Sequence, residues 1–208
     1  MKAASVQGRD TGMAIETEGS EAQRQNNRRD KLLEAAAQLF SSQGYEATSM
    51  RDIAGAVGML PGSVYYHFPS KEDLFVAVHD EGVRQITDSV REAVKGVTDP
   101  WERLEAAAAG HMDALLADNG FASVVTPEYS TKLGQATERL IAQRDAYERM
   151  FATFVDALPL PAGADRRMFR LGLLGMLNWA RTWYRPGRKT PAEIGREMVR
   201  LLRQGPMG

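Results

Sequence analysis

Between Thr48 and Asp73 helix starts and stops follow one another so closely that only short helices fit between them. Thr48 or Ser49 can cap one helix, with Asp52 three residues after Ser49 in a capping-box arrangement and Ile53, Ala54 and Val57 turned inward. Gly58 stops it. Pro61 suits the first turn of the next, ending near Phe68, because its fixed φ is already helical and its missing N–H is not needed there. Ser70-Lys71-Glu72-Asp73 opens another. A helix of about seven residues is unstable alone. The stretch must therefore belong to a packed unit, and helix, tight link and very short helix is the layout of a helix-turn-helix.

The flanking sequence is also helical. Leu32, Leu33, Ala36, Ala37, Leu39 and Phe40 recur at three- and four-residue spacing over residues 28–43, and Gly44 ends that pattern. Leu74, Phe75, Val78, Val83, Ile86 and Val90 carry a fourth helix to about Val94. Asp99-Pro100-Trp101-Glu102 starts a helix through Leu116, whereas residues 119–137 are weakly periodic and carry no assignment. A stripe over residues 138–157 is broken by Leu158-Pro159-Leu160-Pro161. Residues 165–184 are apolar all round, which predicts burial or a partner face. Thr190-Pro191-Ala192-Glu193 begins a last helix with Ile194, Met198, Leu201 and Leu202 on one stripe. Strand alternation and fixed-period self-similarity are both absent. The expected fold is all-α, an N-terminal three-helix helix-turn-helix domain joined by a fourth helix to a larger helical bundle. The expected units are a disordered tail over residues 1–23, a helix-turn-helix domain over 24–72 and a larger helical unit over 73–208, which the family resemblance set out below makes a DNA-binding domain and a ligand-binding and dimerisation domain respectively.

Composition narrows the chemistry. With no Cys among 208 residues, disulfides, thiolate metal sites and cysteine nucleophiles are excluded. The three histidines, His67, His79 and His111, have no metal-ligand spacing, and neither a phosphate-cradling glycine pattern nor a nucleophile elbow occurs. No enzyme, metal or cofactor is expected. Neither a membrane-length apolar run nor a signal-peptide pattern is present, so a cytoplasmic protein is expected. The 26 basic and 27 acidic side chains give a net charge of −1, which leaves room only for a local basic face. Residues 24–71 hold six basic and four acidic groups, a mild +2.

The short helix has the composition of a groove-entering element. Pro61, Gly62 and Ser63 are small enough for close backbone approach to base edges, while Tyr65, Tyr66 and His67 can donate to phosphate oxygens. Lys71 adds charge at a helix start, and Arg51 could reach a guanine bidentately or pair with Asp52 or Glu46. Tyr65 could equally be a packing residue with only its hydroxyl at phosphate.

The ordered run Ala35-Ala36-Ala37-Gln38-Leu39-Phe40, Gly44-Tyr45-Glu46-Ala47-Thr48-Ser49, Ile53-Ala54, Gly58, Gly62, Val64-Tyr65-Tyr66-His67-Phe68 and Ser70-Lys71-Glu72-Asp73-Leu74 resembles the TetR family of bacterial transcriptional regulators. That resemblance covers about residues 28–78. It implies a homodimer, joined through the last two helices, that binds a double-stranded DNA operator and responds to a small-molecule effector. By position, Ser49, Arg51, Ser63, Tyr65, Tyr66, His67 and Lys71 match the family's DNA-contacting sites. Leu60-Pro61 departs from the family's usual Ser or Thr followed by a polar residue, leaving the third helix without a side-chain cap.

Further along, Leu177-Asn178-Trp179-Ala180-Arg181-Thr182-Trp183-Tyr184-Arg185-Pro186 resembles the corresponding helix of family branches that sense acyl-coenzyme A thioesters. Trp faces can take rings or acyl chains, and Arg181, Arg185 and Arg188 could pair with phosphates or simply favour a helix C-terminus. The candidate ligand walls are His111, Met112, Phe121, Tyr129, Tyr147, Phe151, Trp179 and Trp183. Trp179 and Trp183, four apart, fit a core or dimer seam as well, and His111 fits a satisfied interior position. A helical dimeric small-molecule binder without specific DNA binding is the competing reading.

Overall fold

The computed structural model describes residues 10–125 and 135–204, and every regular element among them is a helix. They are α1 (Asp10–Gln43), α2 (Met50–Ala56), α3 (Pro61–His67), α4 (Lys71–Ala93), α5 (Pro100–Leu115), α6 (Phe121–Val125), α7 (Gln135–Asp156), α8 (Arg166–Trp183) and α9 (Pro191–Gln204). The starts follow the chemistry of the caps. Ser49 and Asp52 close a reciprocal capping box on α2, and Ser70, Asp99 and Asp165 each accept a backbone N–H at the head of α4, α5 and α8. Thr190 and Glu193 do the same for α9.

One expectation meets a different backbone, and one unassigned stretch is filled. Helix α1 begins at Asp10 and runs continuously past residue 28, so residues 10–23 of the expected tail are helical. Extending a helix already nucleated by the packed segment from Leu32 to Phe40 adds one hydrogen bond per residue fixed, whereas starting one is costly. The unassigned stretch 119–137 contains the five-residue α6, with Phe121, Ala122 and Val124 buried.

Two cores share α4 and α7. The first packs Leu32, Ala36 and Phe40 of α1 against Ile53 of α2, Val64 of α3 and Leu74, Phe75 and Val78 of α4, and takes in Phe121 and Val124 of α6. In the second, Val90 of α4 joins Trp101, Leu104 and Met112 of α5, Phe151 and Phe154 of α7, Leu173 and Leu177 of α8, and Val199 of α9. Helix α4 thus enters both, as α7 does through Leu140 in the first and Phe151 in the second. Its neighbours come close: a Cβ on Gly82 would lie 2.9 Å from the Phe121 carbonyl oxygen, and one on Gly110 would lie 2.7 Å from that of Ser89. Helix α9 seats on α5 through Gly195, and Arg200 reaches across to the nearly buried Glu105 at 2.9 Å. Among the described residues no helix is long and apolar enough to cross a membrane.

Helix α8 is amphipathic in effect. Leu173, Leu174, Leu177 and Ala180 are buried, while Met168, Trp179 and Trp183 stand out on the opposite side, Trp179 with 66% of its surface exposed. Of the two fates its all-round apolar sequence allows, burial therefore accounts for one face only.

Candidate nucleic-acid interface and ligand cavity

Helix α3 is held by little and shows much. Val64 is its one buried side chain, Leu60 at the N-cap offers no side-chain hydrogen bond, and the Ser63 N–H donates to the Leu60 carbonyl at 2.9 Å. Gly58, at φ +66, makes the turn from α2 in a conformation that other residues adopt only with strain. The outward face then consists of Gly62, Ser63, Tyr65 and Tyr66, Tyr66 being 75% exposed, with the half-buried His67 ring edge-on to it. Across a groove of about 720 Å³, α1 presents Gln25, Arg28 and Lys31 to Gly62, Ser63, Tyr66 and His67. Sequence reading counted those α1 cations only as charge. Their three-residue spacing on one helix face was the available signal.

Ser49 and Arg51 sit at the head of α2. The Ser49 hydroxyl and backbone N–H both hydrogen-bond the Asp52 carboxylate, at 2.6 and 2.9 Å, which holds that carboxyl below its ordinary range. Arg51 is exposed, and among the described residues it forms no ion pair with Asp52 or Glu46. Lys71 is different. Its ammonium donates to the carbonyls of Tyr45 (2.9 Å) and Thr48 (3.1 Å), fastening the α1–α2 link to α4 and leaving one of three N–H groups for anything outside.

The second site is a cavity of about 280 Å³ bounded by α4, α5, α6 (through Val125), α7 and α8. Its walls are largely apolar, with Val83, Ile86, Leu140, Ile141, Leu171 and Leu174, interrupted by His79, His111, Tyr147 and Asn178 and by Arg144 with Glu148. His111 is 2% exposed, its Nδ1 is 2.6 Å from the Tyr147 hydroxyl, and burial lowers its pKa to about 4. Burial also lowers the His79 pKa, against the pull of its 2.5 Å contact with Gln143 Oε1, and raises that of Tyr147. Both rings are therefore uncharged at neutral pH.

Of the expected ligand residues, His111 and Tyr147 line this cavity. Met112 and Phe151 are fully buried in the second core, Phe151 backing His111 edge-on at 6.0 Å. Phe121 belongs to the first core, because α6 turns inward against α1 and α4. Trp179 and Trp183 lie on the outer face of α8, since the helical period puts Leu174 and Leu177 inward there. Tyr129 lies outside the described residues. The arginines near the end of α8 are also differently employed: Arg181 donates to the Ala122 carbonyl and joins α8 to α6, and Arg185 donates to the Tyr184 carbonyl at 2.7 Å. His79, Arg144, Glu148 and Asn178 were not foreseen as lining residues. Nothing local marks them, since the cavity exists only where five helices meet.

Comparison with known proteins adds to this geometry. Residues 32–78 match the family described as bacterial regulatory proteins, tetR family, and residues 97–205 match the tetracyclin repressor-like C-terminal domain. The chain is 30% identical over 194 residues to the transcriptional repressor KstR2 of Mycobacterium tuberculosis, spanning 86% of this chain and 93% of that one. Its fold is similar to that of the regulator PfmR from Thermus thermophilus, with a TM-score of 0.76 and 28% identity over 86% of this chain and 97% of that one. It is also similar to AibR, solved in complex with isovaleryl coenzyme A and operator DNA, with a TM-score of 0.73 and 28% identity over 83% of this chain and 96% of that one.

Proposed function

The chain belongs to the TetR family of bacterial regulatory proteins, and from that premise we propose that it is a ligand-responsive repressor that binds a palindromic operator as a homodimer. The observation that carries this reading is the outward face of α3, where Gly62, Ser63 and Tyr66 stand clear of the fold beside the Arg28 and Lys31 side of α1. In this reading Ser63 and Arg51 read base edges. Pro61 and Gly62 permit close approach, while Tyr65, Tyr66, His67, Ser49 and the remaining N–H of Lys71 meet phosphates and fix the register.

The dimer forms through α8 and α9. Met168, Trp179 and Trp183, with Leu201 of α9, supply the exposed apolar surface that such a seam requires. Two α3 helices then enter successive major grooves only at about one helical turn of separation, roughly 34–36 Å. Helix α4 links that spacing to the cavity, because Lys71 at its head is bonded into the DNA-binding module and His79, Val83 and Ile86 farther along are cavity wall. A ligand that favours a different position of α4 releases DNA in proportion to its preference. The effector is small and largely apolar in its buried part. An acyl-coenzyme A thioester with its acyl group inside and its nucleotide outside the mouth fits the apolar walls, and AibR was solved with a ligand of that kind.

The deciding experiment is an electrophoretic mobility shift with the protein's own upstream intergenic DNA, excess nonspecific competitor and physiological salt, followed by addition of acyl-coenzyme A thioesters. A specific shift that thioesters abolish is the expected result. No shift at any salt, with the dimer intact, would favour a helical small-molecule binder without DNA function.

A further inference from the structure

We infer that the part of the effector held inside the cavity is uncharged and mostly apolar and carries one carbonyl oxygen, as in a ketone, ester or thioester, and that the Nε2–H of His111 holds this oxygen. The inference deepens the effector part of the proposed function and rests on the cavity being the effector site.

A count of protons around His111 leads to it. Its Nε2 is buried without a hydrogen-bond partner, although the ring lines the cavity. Asn178, on the same wall, is a hydrogen-bonding neighbour that favours the charged ring, yet it does not reach hydrogen-bond geometry with Nε2, which stays unsatisfied. On the other side, Nδ1 faces the Tyr147 hydroxyl, whose only hydrogen-bond partner among the described residues is that nitrogen. If the hydroxyl accepted from Nδ1–H, its own hydrogen and the Nε2 lone pair would both be left unpaired. If it donates to Nδ1, only one group remains, an Nε2–H facing the cavity. The second arrangement leaves fewer buried polar groups unsatisfied and is the one the fold selects. A single outward donor in an apolar wall suits a carbonyl oxygen.

The charges around the cavity argue against a carboxylate. The His111 and His79 rings are neutral, Arg144 lies 3.1 Å from Asp145 and 3.7 Å from Glu148, and Arg170 lies 3.8 Å from the same Glu148. Each nearby cation already has an acid beside it, so an incoming anion would meet Glu148 as much as Arg144.

The test uses the full chain with 15N-labelled histidine and three probes of matched length: octan-2-one, octane and octanoate. Free protein at neutral pH should show His111 as the Nε2–H tautomer. Measured against each probe's own transfer from water to hydrocarbon, the ketone should bind about tenfold more tightly than the alkane, the difference one hydrogen bond supplies, and it should also bind more tightly than octanoate and alone shift the Nε2 resonance. His111→Leu should erase the preference for ketone over alkane and His111→Gln, which keeps an N–H donor, should restore part of it. Equal binding of ketone and alkane, tighter binding of octanoate, an Nδ1–H tautomer, or a preference that survives His111→Leu but disappears in Asn178→Ala would each overturn the assignment. If His111→Leu does not fold, the wild-type selectivity and tautomer decide. The measurement needs no DNA: selective ketone binding by a protein that never shifts its upstream DNA contradicts the regulator and not this assignment, and a specific shift without ketone selectivity does the reverse.

Discussion

The Nζ of Lys71 lies 2.9 Å from the carbonyl oxygen of Tyr45 and 4.2 Å from the centre of the same residue's ring. One cation thereby satisfies two carbonyls of the α1–α2 link, counting Thr48, and rests on an aromatic face. A residue that the family resemblance matches to a DNA-contacting site is also a fastener of the module that presents α3.

Lys71→Ala should therefore do two things at once. Loss of charge-assisted hydrogen bonds at a half-exposed site should lower stability by about 1–2 kcal/mol, a few degrees in the thermal midpoint, and weaken DNA binding as well. Tyr66→Ala should weaken binding to all DNA sequences alike while leaving stability within about 0.5 kcal/mol, because its side chain touches little else. Thermal unfolding paired with gel shifts on operator and random DNA separates the two. A Lys71→Ala protein as stable as wild type would refute the fastening role.

His111 predicts a pH dependence of stability. Its pKa is near 4 in the folded chain and about 6.5 unfolded, so between those values the unfolded state binds more protons. Its contribution is complete above pH 6.5 and is lost as pH falls toward 4, at up to about 1.4 kcal/mol per pH unit in that window. His79 shifts in the same direction. Urea unfolding from pH 4 to 7.5 should show this slope in wild type and a shallower one in His111→Gln.

Gly195→Ala should separate α9 from α5. The added Cβ would lie 2.5 Å from the Ala108 carbonyl oxygen and 2.7 Å from its carbon, and backbone cannot turn aside as a side chain can. A loss of about 1–3 kcal/mol is expected from thermal unfolding. An unchanged midpoint would mean that this helix pair is looser than the close approach implies.

Trp179→Glu tests the dimer face. With 66% of its surface exposed in the single chain, Trp179 contributes nothing large to the protomer's own core, so folding should be retained while association fails. Sedimentation velocity should show a dimer for wild type and a monomer for the variant. DNA affinity should drop with it, since one α3 per particle reaches only one half-site.

Much of this fold was readable from short-range chemistry. Ser49 with Asp52, Pro61 and Thr190 with Glu193 mark helix starts within a turn or two of chain, and each stands where the caps require. Which residues of α3 face out was only partly legible, since Tyr65 stood between packing and phosphate contact, and the structure leaves it exposed with Val64 the one buried side chain. The cavity did not. His79 and Glu148 belong to helices far apart in sequence, and only the crossing of α4, α5, α6, α7 and α8 brings them together. The apolar run of α8 carried no mark of which side faces in. Trp179 and Leu177 are equally hydrophobic on paper, and packing against α5 and α7 decides that Leu177 is the buried one. Helix α6 escaped notice because five residues are too few to show a period.

The sparse anchoring of α3 reaches beyond its geometry. With one buried side chain and no side-chain cap, it belongs among the segments that open most readily, and its backbone amides should exchange with solvent well before those of α4. Ordering such an element on contact has an entropic cost that only a well-matched sequence offsets. In the regulator proposed above, unmatched DNA would hold the protein mainly through phosphates and leave it free to slide, so a loosely anchored α3 would shorten the search for an operator.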